Sequence, residues 1–362
     1  MKVFFYITSL AMGGAEQQCS RIAASLKSIY GHDVEIIVSY PNLSNERLRM
    51  PLKTLGIPIH GFSWKTVNGC RGIVNVLRRG GAGSALFCFN TFPDFLGGVF
   101  GRLAGVKKIF GSIRSEYLPW PHILMDWIAQ RLFLSGTIFN SYRARDKFVK
   151  RFMFSDKLSK TISNSIPESD WQHDYTKEND GINVITVGTF KPPKDYHTWL
   201  KVISIAHSSD RRIRGTIIGY GWQKPNLQRW ITELALEGVV ELVDGKDIED
   251  IPIRLAQADI YLSTSILEGT SNAIMEGLRA GLPVVATDVG DNRYLIQDGE
   301  SGYICPVKNS NALASAVLSL AHDFEKRRHF GLCAMQRMRD NHSIEHIAFE
   351  YNKLIMDEKH EV

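Results

Sequence analysis

Ser263-Thr264-Ser265-Ile266-Leu267-Glu268-Gly269-Thr270-Ser271-Asn272-Ala273-Ile274-Met275-Glu276-Gly277 decides how this chain is read. Two glutamates, Glu268 and Glu276, bracket a turn of small polar residues. The apolar run from Asp259 to Ser263 predicts a strand leading in, and Asn272 to Arg279 predicts a helix leading out. Gly281 and Pro283 stop that helix, and Val284 to Thr287 predicts the next strand. Glu268 therefore falls in a loop at the carboxyl end of a strand, and Glu276 about one turn into the following helix. Between them the amides of Thr270, Ser271 and Asn272 point out of a helix N-terminus, where unpaired N–H groups and the helix dipole favour an anion. A diphosphate flanked by two polyols, one a ribose and one a sugar, fits that layout.

The same alternation runs through the chain. In the first half, predicted strands lie at Lys2–Ser9, Val34–Ser39, Ser84–Phe89, Lys107–Ser112 and Thr137–Asn140. Helices are expected between them and again over Arg143–Phe152. Residues 166–181 are polar and aperiodic and read as a linker. A second block follows with strands at Ile182–Val187, Gly215–Ile218, Val239–Leu242, Ile260–Ser263, Val284–Thr287 and Gly302–Cys305. Two βαβα blocks imply an α/β protein of two Rossmann-like, doubly wound domains, each with ligands at the carboxyl ends of its strands.

Glu268 and Glu276, followed by Gly-Leu-Pro-Val-Val-Ala-Thr-Asp-Val-Gly over 281–290, resemble the donor site of retaining glycosyltransferases of the GT4 family, which have a GT-B fold. The resemblance implies two domains facing across a cleft. It gives residues 1–165 as the acceptor- and membrane-facing domain, 182–343 as the nucleotide-sugar-binding domain, and 344–362 as a helix crossing back to the first. By resemblance Glu276 binds ribose hydroxyls and Glu268 donor-sugar hydroxyls. Lys194 and the 270–272 amides hold the diphosphate, and Glu268 and Lys194 are the catalytic candidates.

Other segments extend the likeness. Leu10 to Glu16 carries Gly13-Gly14-Ala15-Glu16, similar to the family's first turn, where the Gly14 amide approaches the donor. Val187-Gly188-Thr189-Phe190-Lys191-Pro192-Pro193-Lys194 resembles a Val-Gly-Arg pattern followed by lysine. Lys194 matches, but Thr189 stands where the arginine is usual; threonine supplies one hydrogen bond and no charge, and Lys191 is the candidate to compensate. Gly219 and Gly221 match a strand-end Gly-x-Gly that brings backbone near the nucleotide. Asp244-Gly245-Lys246-Asp247 lies where relatives cradle the base.

The acceptor side is less legible. Asn90 and Asp94 end a first-domain strand where many relatives carry a histidine; one of them fills that role, or neither does. Arg114 grips an acceptor phosphate or forms a structural ion pair with Glu116.

Composition narrows the partners. Residues 1–165 hold 22 Lys and Arg against 9 Asp and Glu, a net charge of +13, whereas the rest of the chain is −8. The first half therefore meets something anionic. No nucleic-acid motif is present, and the basic run 143–160 adjoins aromatic and aliphatic residues such as Trp120 and Trp127, so an anionic membrane surface is the expected partner. No run of eighteen apolar residues occurs. The five cysteines are scattered, without a zinc or disulfide pattern. A cytoplasmic protein, peripheral on the inner face of the cytoplasmic membrane, is the expectation.

No cofactor is expected, and no metal, since no Asp-x-Asp ends a strand. The function expected is transfer of a UDP-linked hexose or N-acetylhexosamine to a lipid-linked oligosaccharide or polysaccharide. The alternatives are a non-catalytic nucleotide-sugar-binding subunit and a GT-B nucleotide-sugar epimerase.

Overall fold

Two compact units account for the chain: Met1–Ser165 together with the segment from His342 on, and Ile166–Asn341. The computed structural model describes residues 1–11, 13–167, 171–176, 180–245 and 250–357. Among these, the first unit contains strands β1 (Lys2–Ile7), β2 (Asp33–Val38), β3 (Ile59–Gly61), β4 (Ala85–Phe89), β5 (Lys108–Ile113), β6 (Gly136–Phe139) and β7 (Ser159–Thr161). They form one parallel sheet in the order β3-β2-β1-β4-β5-β6-β7. The second unit contains β8 (Ile182–Val187), β9 (Ile213–Gly219), β10 (Val240–Asp244), β11 (Ile260–Ser263), β12 (Val284–Thr287) and β13 (Gly302–Cys305), ordered β10-β9-β8-β11-β12-β13.

Central strands of both sheets are apolar on both faces because helices cover both. Val3, Phe5 and Ile7 point into one core cluster while Phe4 and Tyr6 point into another. Phe5 lies level with Ile36 on β2 and Phe87 on β4. In the second unit Trp199 is fully buried, donates its indole N–H to Leu262 O (3.2 Å), and lies against Gly215.

β7 has no counterpart in the sequence expectation. It is three residues long and carries Lys160, so neither length nor alternation announces it. Its pairing with β6 extends the sheet edge. The segment 166–181, read as a linker, is tied to the second unit at several points. Ile166 belongs to the second unit's core, His173 donates its N–H to Ala280 O (2.7 Å), and Tyr175 donates its hydroxyl to Gly281 O (2.7 Å). Residues 168–170 and 177–179 of that segment lie outside the described residues.

The helix Ile344–Met356 packs on the first unit. Ile347, Tyr351, Leu354 and Ile355 join the cluster of Val3 and Phe5, and Tyr351 meets Phe87 edge-on at 5.1 Å. Four such side chains contribute about 1.5–3 kcal/mol each by burial. Lys108 donates to Ile355 O (2.9 Å), placing a cation at the helix C-terminus where the dipole favours it. Residues 358–362 of the expected C-terminal segment lie outside the described residues.

Candidate functional site

The carboxyl ends of β8 and β11 bring together the residues singled out in the second unit. After β8 the chain enters a short turn, Pro192–Lys194, and Asp195 then caps the helix Tyr196–Ser209 from a left-handed conformation (φ 46°). This turn is tied to the loop after β11: Ile266 N donates to Pro193 O (2.8 Å), and the Thr264 hydroxyl bonds Lys194 O (3.1 Å) and Asp195 O (2.9 Å). The backbone is thereby held so that the Lys194 ammonium pairs with Glu268 Oε1. The buried Ser265 hydroxyl donates to the same oxygen at 2.7 Å. Thr287 on β12 secures Ser265 through its carbonyl (2.5 Å). Neither Ser265 nor Thr287 was singled out by the sequence, since no spacing marks a serine that holds a carboxylate three residues on.

Beyond this turn Ser271 is the N-cap of the helix Asn272–Arg279 and accepts from Ile274 N (3.5 Å). Its hydroxyl is thus committed to capping. The outward amides of the first turn begin at Asn272, so Thr270 and Ser271 precede the helix rather than open it. Thr270 donates to Asp291 Oδ2 (3.3 Å). Glu276 sits half-buried on this helix, close enough to Tyr261 to help raise its phenol above the ordinary range, although burial is the larger cause. Gly281 (φ +87°) ends the helix in the left-handed region, and Leu282 N returns to Gly277 O (3.0 Å).

Gly219 has a packing reason of its own. A Cβ there would lie 1.9 Å from Gly188 O, so the strand-end loops meet backbone to backbone. Thr189 is half-buried and Lys191 exposed. Asp244 pairs with Lys224 at 3.4 Å, while Lys246 and Asp247 of the expected base cradle lie outside the described residues. No group of three or more His, Cys, Asp or Glu side chains converges among the described residues.

The first unit has a cavity of about 510 Å³ at the carboxyl ends of β1, β4 and β5, lined by Gly14, Glu16, Asn90, Ser112, Arg114 and His122 among others. Gly13 is the N-cap of the helix Gly14–Ser28 and makes no side-chain cap. Burial holds the Glu16 carboxyl above its ordinary range. Asn90 starts the helix Thr91–Leu103 with φ 78° and ψ 159°, a strained backbone for a residue with a side chain, found here at a cavity wall.

Two acceptor-side expectations are corrected. Asp94 does not face the cavity: it is 1% exposed and takes the Ser112 amide on both oxygens (3.0 and 2.9 Å). Arg114 is not paired with Glu116. It bonds Ser112 Oγ (2.8 Å), Asn164 Oδ1 (2.9 Å) and Tyr351 OH (2.8 Å) and stacks 4.6 Å from the Phe89 ring, while Glu116 meets Lys147 instead. His122, Glu16 and Asp126 are brought to or beside this site without having been candidates. Asp126 was detectable in principle, as an acid in register with the buried Ile123 and Ala129 on the helix Trp120–Leu132.

Residues 168–337 match the family described as "Glycosyl transferases group 1". The match covers nearly all of the second unit. Amylovoran biosynthesis glycosyltransferase AmsK of Erwinia amylovora is 30% identical over 185 residues, covering 42% of this chain and 45% of that protein. Lipopolysaccharide core biosynthesis glycosyltransferase LpsE of Rhizobium meliloti is 25% identical over 175 residues, 48% of this chain and 49% of that protein. The chain thus spans less than half the length of these two relatives. HepE of Anabaena, solved in complex with UDP, superposes with a TM-score of 0.83 at 18% identity, covering 98% of this chain and 99% of that one. The likeness shows the GT-B fold over the full chain.

Proposed function

We propose that the protein is a retaining, metal-independent glycosyltransferase that moves a hexose or N-acetylhexosamine from a UDP-linked donor to a lipid-linked oligosaccharide or polysaccharide acceptor. The observation that carries this reading is the convergence of Lys194 and Glu268 at the carboxyl ends of β8 and β11, beside the N-terminus of the helix Asn272–Arg279. The names of AmsK and LpsE, both of surface-polysaccharide synthesis, and the UDP and UDP-glucose complexes of HepE support it.

In this reading the donor diphosphate takes the Lys194 ammonium and the amides at the start of the helix. Charge develops on that diphosphate as the glycosidic bond breaks, and preorganised donors there stabilise the transition state. Glu276 holds the ribose hydroxyls and Glu268 the donor sugar. Thr189 contributes one hydrogen bond, and exposed Lys191 supplies further positive charge nearby. Gly219 keeps the strand-end backbone close to the nucleotide. No carboxylate is assigned as a nucleophile, so the acceptor hydroxyl attacks from the face the leaving group departs. In the first unit, Asn90 and Arg114 bind the acceptor, with Gly14 in the lining of the same cavity and Gly13 just before it at the helix N-cap. Incubating the purified protein with a panel of nucleotide sugars, with and without an undecaprenyl-linked acceptor, tests the reading. Acceptor-dependent release of UDP is expected; interconversion of the sugar without acceptor indicates the epimerase instead.

Metal independence makes its own prediction. Activity is expected to survive EDTA, because Lys194 and helix amides occupy the role of a divalent cation. Loss of activity with EDTA and its recovery with manganese would overturn this assignment.

Membrane contact is proposed through the first unit. No helix among the described residues is long and apolar enough to cross a membrane. Trp120 (65% exposed) and Leu132 stand at opposite ends of the helix Trp120–Leu132, and Phe152 and Met153 lie alongside it, with Trp120 6.4 Å from the Phe152 ring and Arg131 bonded to Met153 O. Of the basic run, Arg145 is taken by Asp146 and Asp156, and Lys147 by Glu116 and the Tyr117 ring. Lys150, which also meets Asp146 at 3.7 Å, Arg151 and Lys157 are exposed. Each contributes about 1 kcal/mol at an anionic surface, screened over about 8 Å at physiological salt. Cosedimentation with phosphatidylglycerol vesicles but not neutral ones is expected, weakened by high salt and by Lys150→Glu/Arg151→Glu/Lys157→Glu. Binding indifferent to charge, or none, leaves a soluble acceptor.

A further inference from the structure

Beside the first-unit cavity lie two carboxyl groups that the proposed reaction does not use. Asp94, on the helix Thr91–Leu103, is 1% exposed, and Asp126, on the helix Trp120–Leu132, is 2% exposed. Asp126 Oδ2 accepts from the Thr91 hydroxyl (3.0 Å), while its Oδ1 is buried without a hydrogen-bond partner. An ionised carboxylate so placed is costly, whereas a protonated one carries no net charge. Asp94 is pushed well above the usual carboxylate range by burial first and by the Asp126 carboxylate next. Burial raises Asp126 to about 7, against the Thr91 bond.

The pair is wired to the cavity wall. Asp94 N donates to Asn90 O (2.9 Å), Asp94 accepts the Ser112 amide, and Ser112 Oγ accepts from Arg114 Nε. Asn90, Thr91, Ser112 and Arg114 all line the cavity. The other partners of Arg114, Asn164 Oδ1 and Tyr351 OH, are neutral hydrogen-bonding groups. Three of the five guanidinium N–H groups are thereby used, which leaves two for an oxyanion. Five further titratable groups are near. Glu16 lines the cavity and Cys19 is influenced by Arg114, and burial holds both above their ordinary values. Cys88 on β4 and Tyr351 are each influenced by Asp94, and burial holds both above their ordinary values. His122 is one turn before Asp126 on its helix and lines the cavity.

We propose that Asp94 and Asp126 form a proton-holding pair that positions Arg114 as the binding group for an oxyanion, phosphate or carboxylate, in the first-unit cavity. With the proton in place the Arg114 charge serves the cavity. When the pair ionises, a second buried carboxylate draws that charge inward and the anion is released. Only the assignment of the anion to the acceptor rests on the proposed function; the site itself does not.

Sulfate tests this, since it stays a dianion from pH 5.5 to 8.5. Nuclear magnetic resonance titration of the full chain with sulfate, at ionic strength fixed with chloride, is expected to show affinity falling roughly fivefold or more across that range. Acetate in a parallel titration separates a carboxylate subsite from a phosphate one. Arg114→Gln is expected to abolish binding at both pH values. Asp126→Asn, neutral throughout, is expected to retain binding and flatten the pH dependence, and His122→Gln to keep the step. A step that survives Asp126→Asn or vanishes in His122→Gln overturns the proposal, as does sulfate binding indifferent to Arg114→Gln. Should Asp126→Asn not fold, the carboxyl ¹³C shifts of the unmodified protein decide: one aspartate titrating near 7 supports the pair, and none above the ordinary range sinks it. Because the folded-state value of Asp126 is raised, its contribution to stability is complete at low pH and lost as pH rises through about 7, which thermal melts of the same samples record. UDP binding measured alongside reports on the donor reading separately.

Discussion

Replacing Lys194 with methionine is expected to lower the rate of sugar transfer by about 10²–10³-fold, the range found when one preorganised donor to a developing negative charge is removed. The size of the effect follows from how little freedom this lysine has. Its turn is pinned through Pro193 O, Lys194 O and Asp195 O to the loop after β11, so the ammonium waits where the leaving diphosphate is proposed to sit. Its partner without donor is Glu268, which also holds the Ser265 hydroxyl. In the variant Glu268 keeps Ser265 and loses its cation, so some of the loss will appear in donor binding. Comparing kcat with the calorimetric affinity for UDP divides the two. Glu268→Gln is the matching control: it retains a Ser265 partner, and it is expected to spare UDP affinity and impair transfer. A fall in kcat below tenfold for Lys194→Met would remove Lys194 from the leaving group.

Glu276→Ala is expected to weaken UDP binding tenfold to a hundredfold. A hydrogen bond to a charged acceptor is worth about 1.5–3 kcal/mol, and each 1.4 kcal/mol is a factor of about ten. Glu276 lies on the helix Asn272–Arg279, beside Gly277, whose missing side chain lets the helix rest on the Tyr261 ring. The substitution leaves that packing in place, so the folded structure should survive and calorimetry should report the lost ribose contact alone. Unchanged UDP affinity with a normal melt would take Glu276 out of the ribose site.

Much of this protein is legible before any coordinates. Apolar runs of four to seven residues separated by helical segments dictate buried parallel strands, because only a sheet covered on both faces tolerates them. Gly281 and Pro283 mark the end of the helix Asn272–Arg279, since the first takes a left-handed φ and the second cannot continue it. Glu268 and Glu276 are legible as candidates because a strand end and a helix start each leave a local signature, and Lys194 because its segment resembles the family pattern. β7 was not legible, being three residues of mixed polarity whose strand identity comes from β6. Nor was the docking of His173 and Tyr175, whose partners Ala280 and Gly281 lie more than a hundred residues away.

The sequence by itself determined the element order, the two α/β blocks and the separation of charge between the halves, all of which depend on local periodicity and composition. Only tertiary structure decided that Ser265 orients Glu268, that Asp94 faces inward to the Ser112 amide, and that Arg114 turns from Glu116 to Asn164 and Tyr351. Those outcomes depend on burial and on which polar group happens to lie within about 3 Å, and neither quantity is carried by residue spacing along the chain.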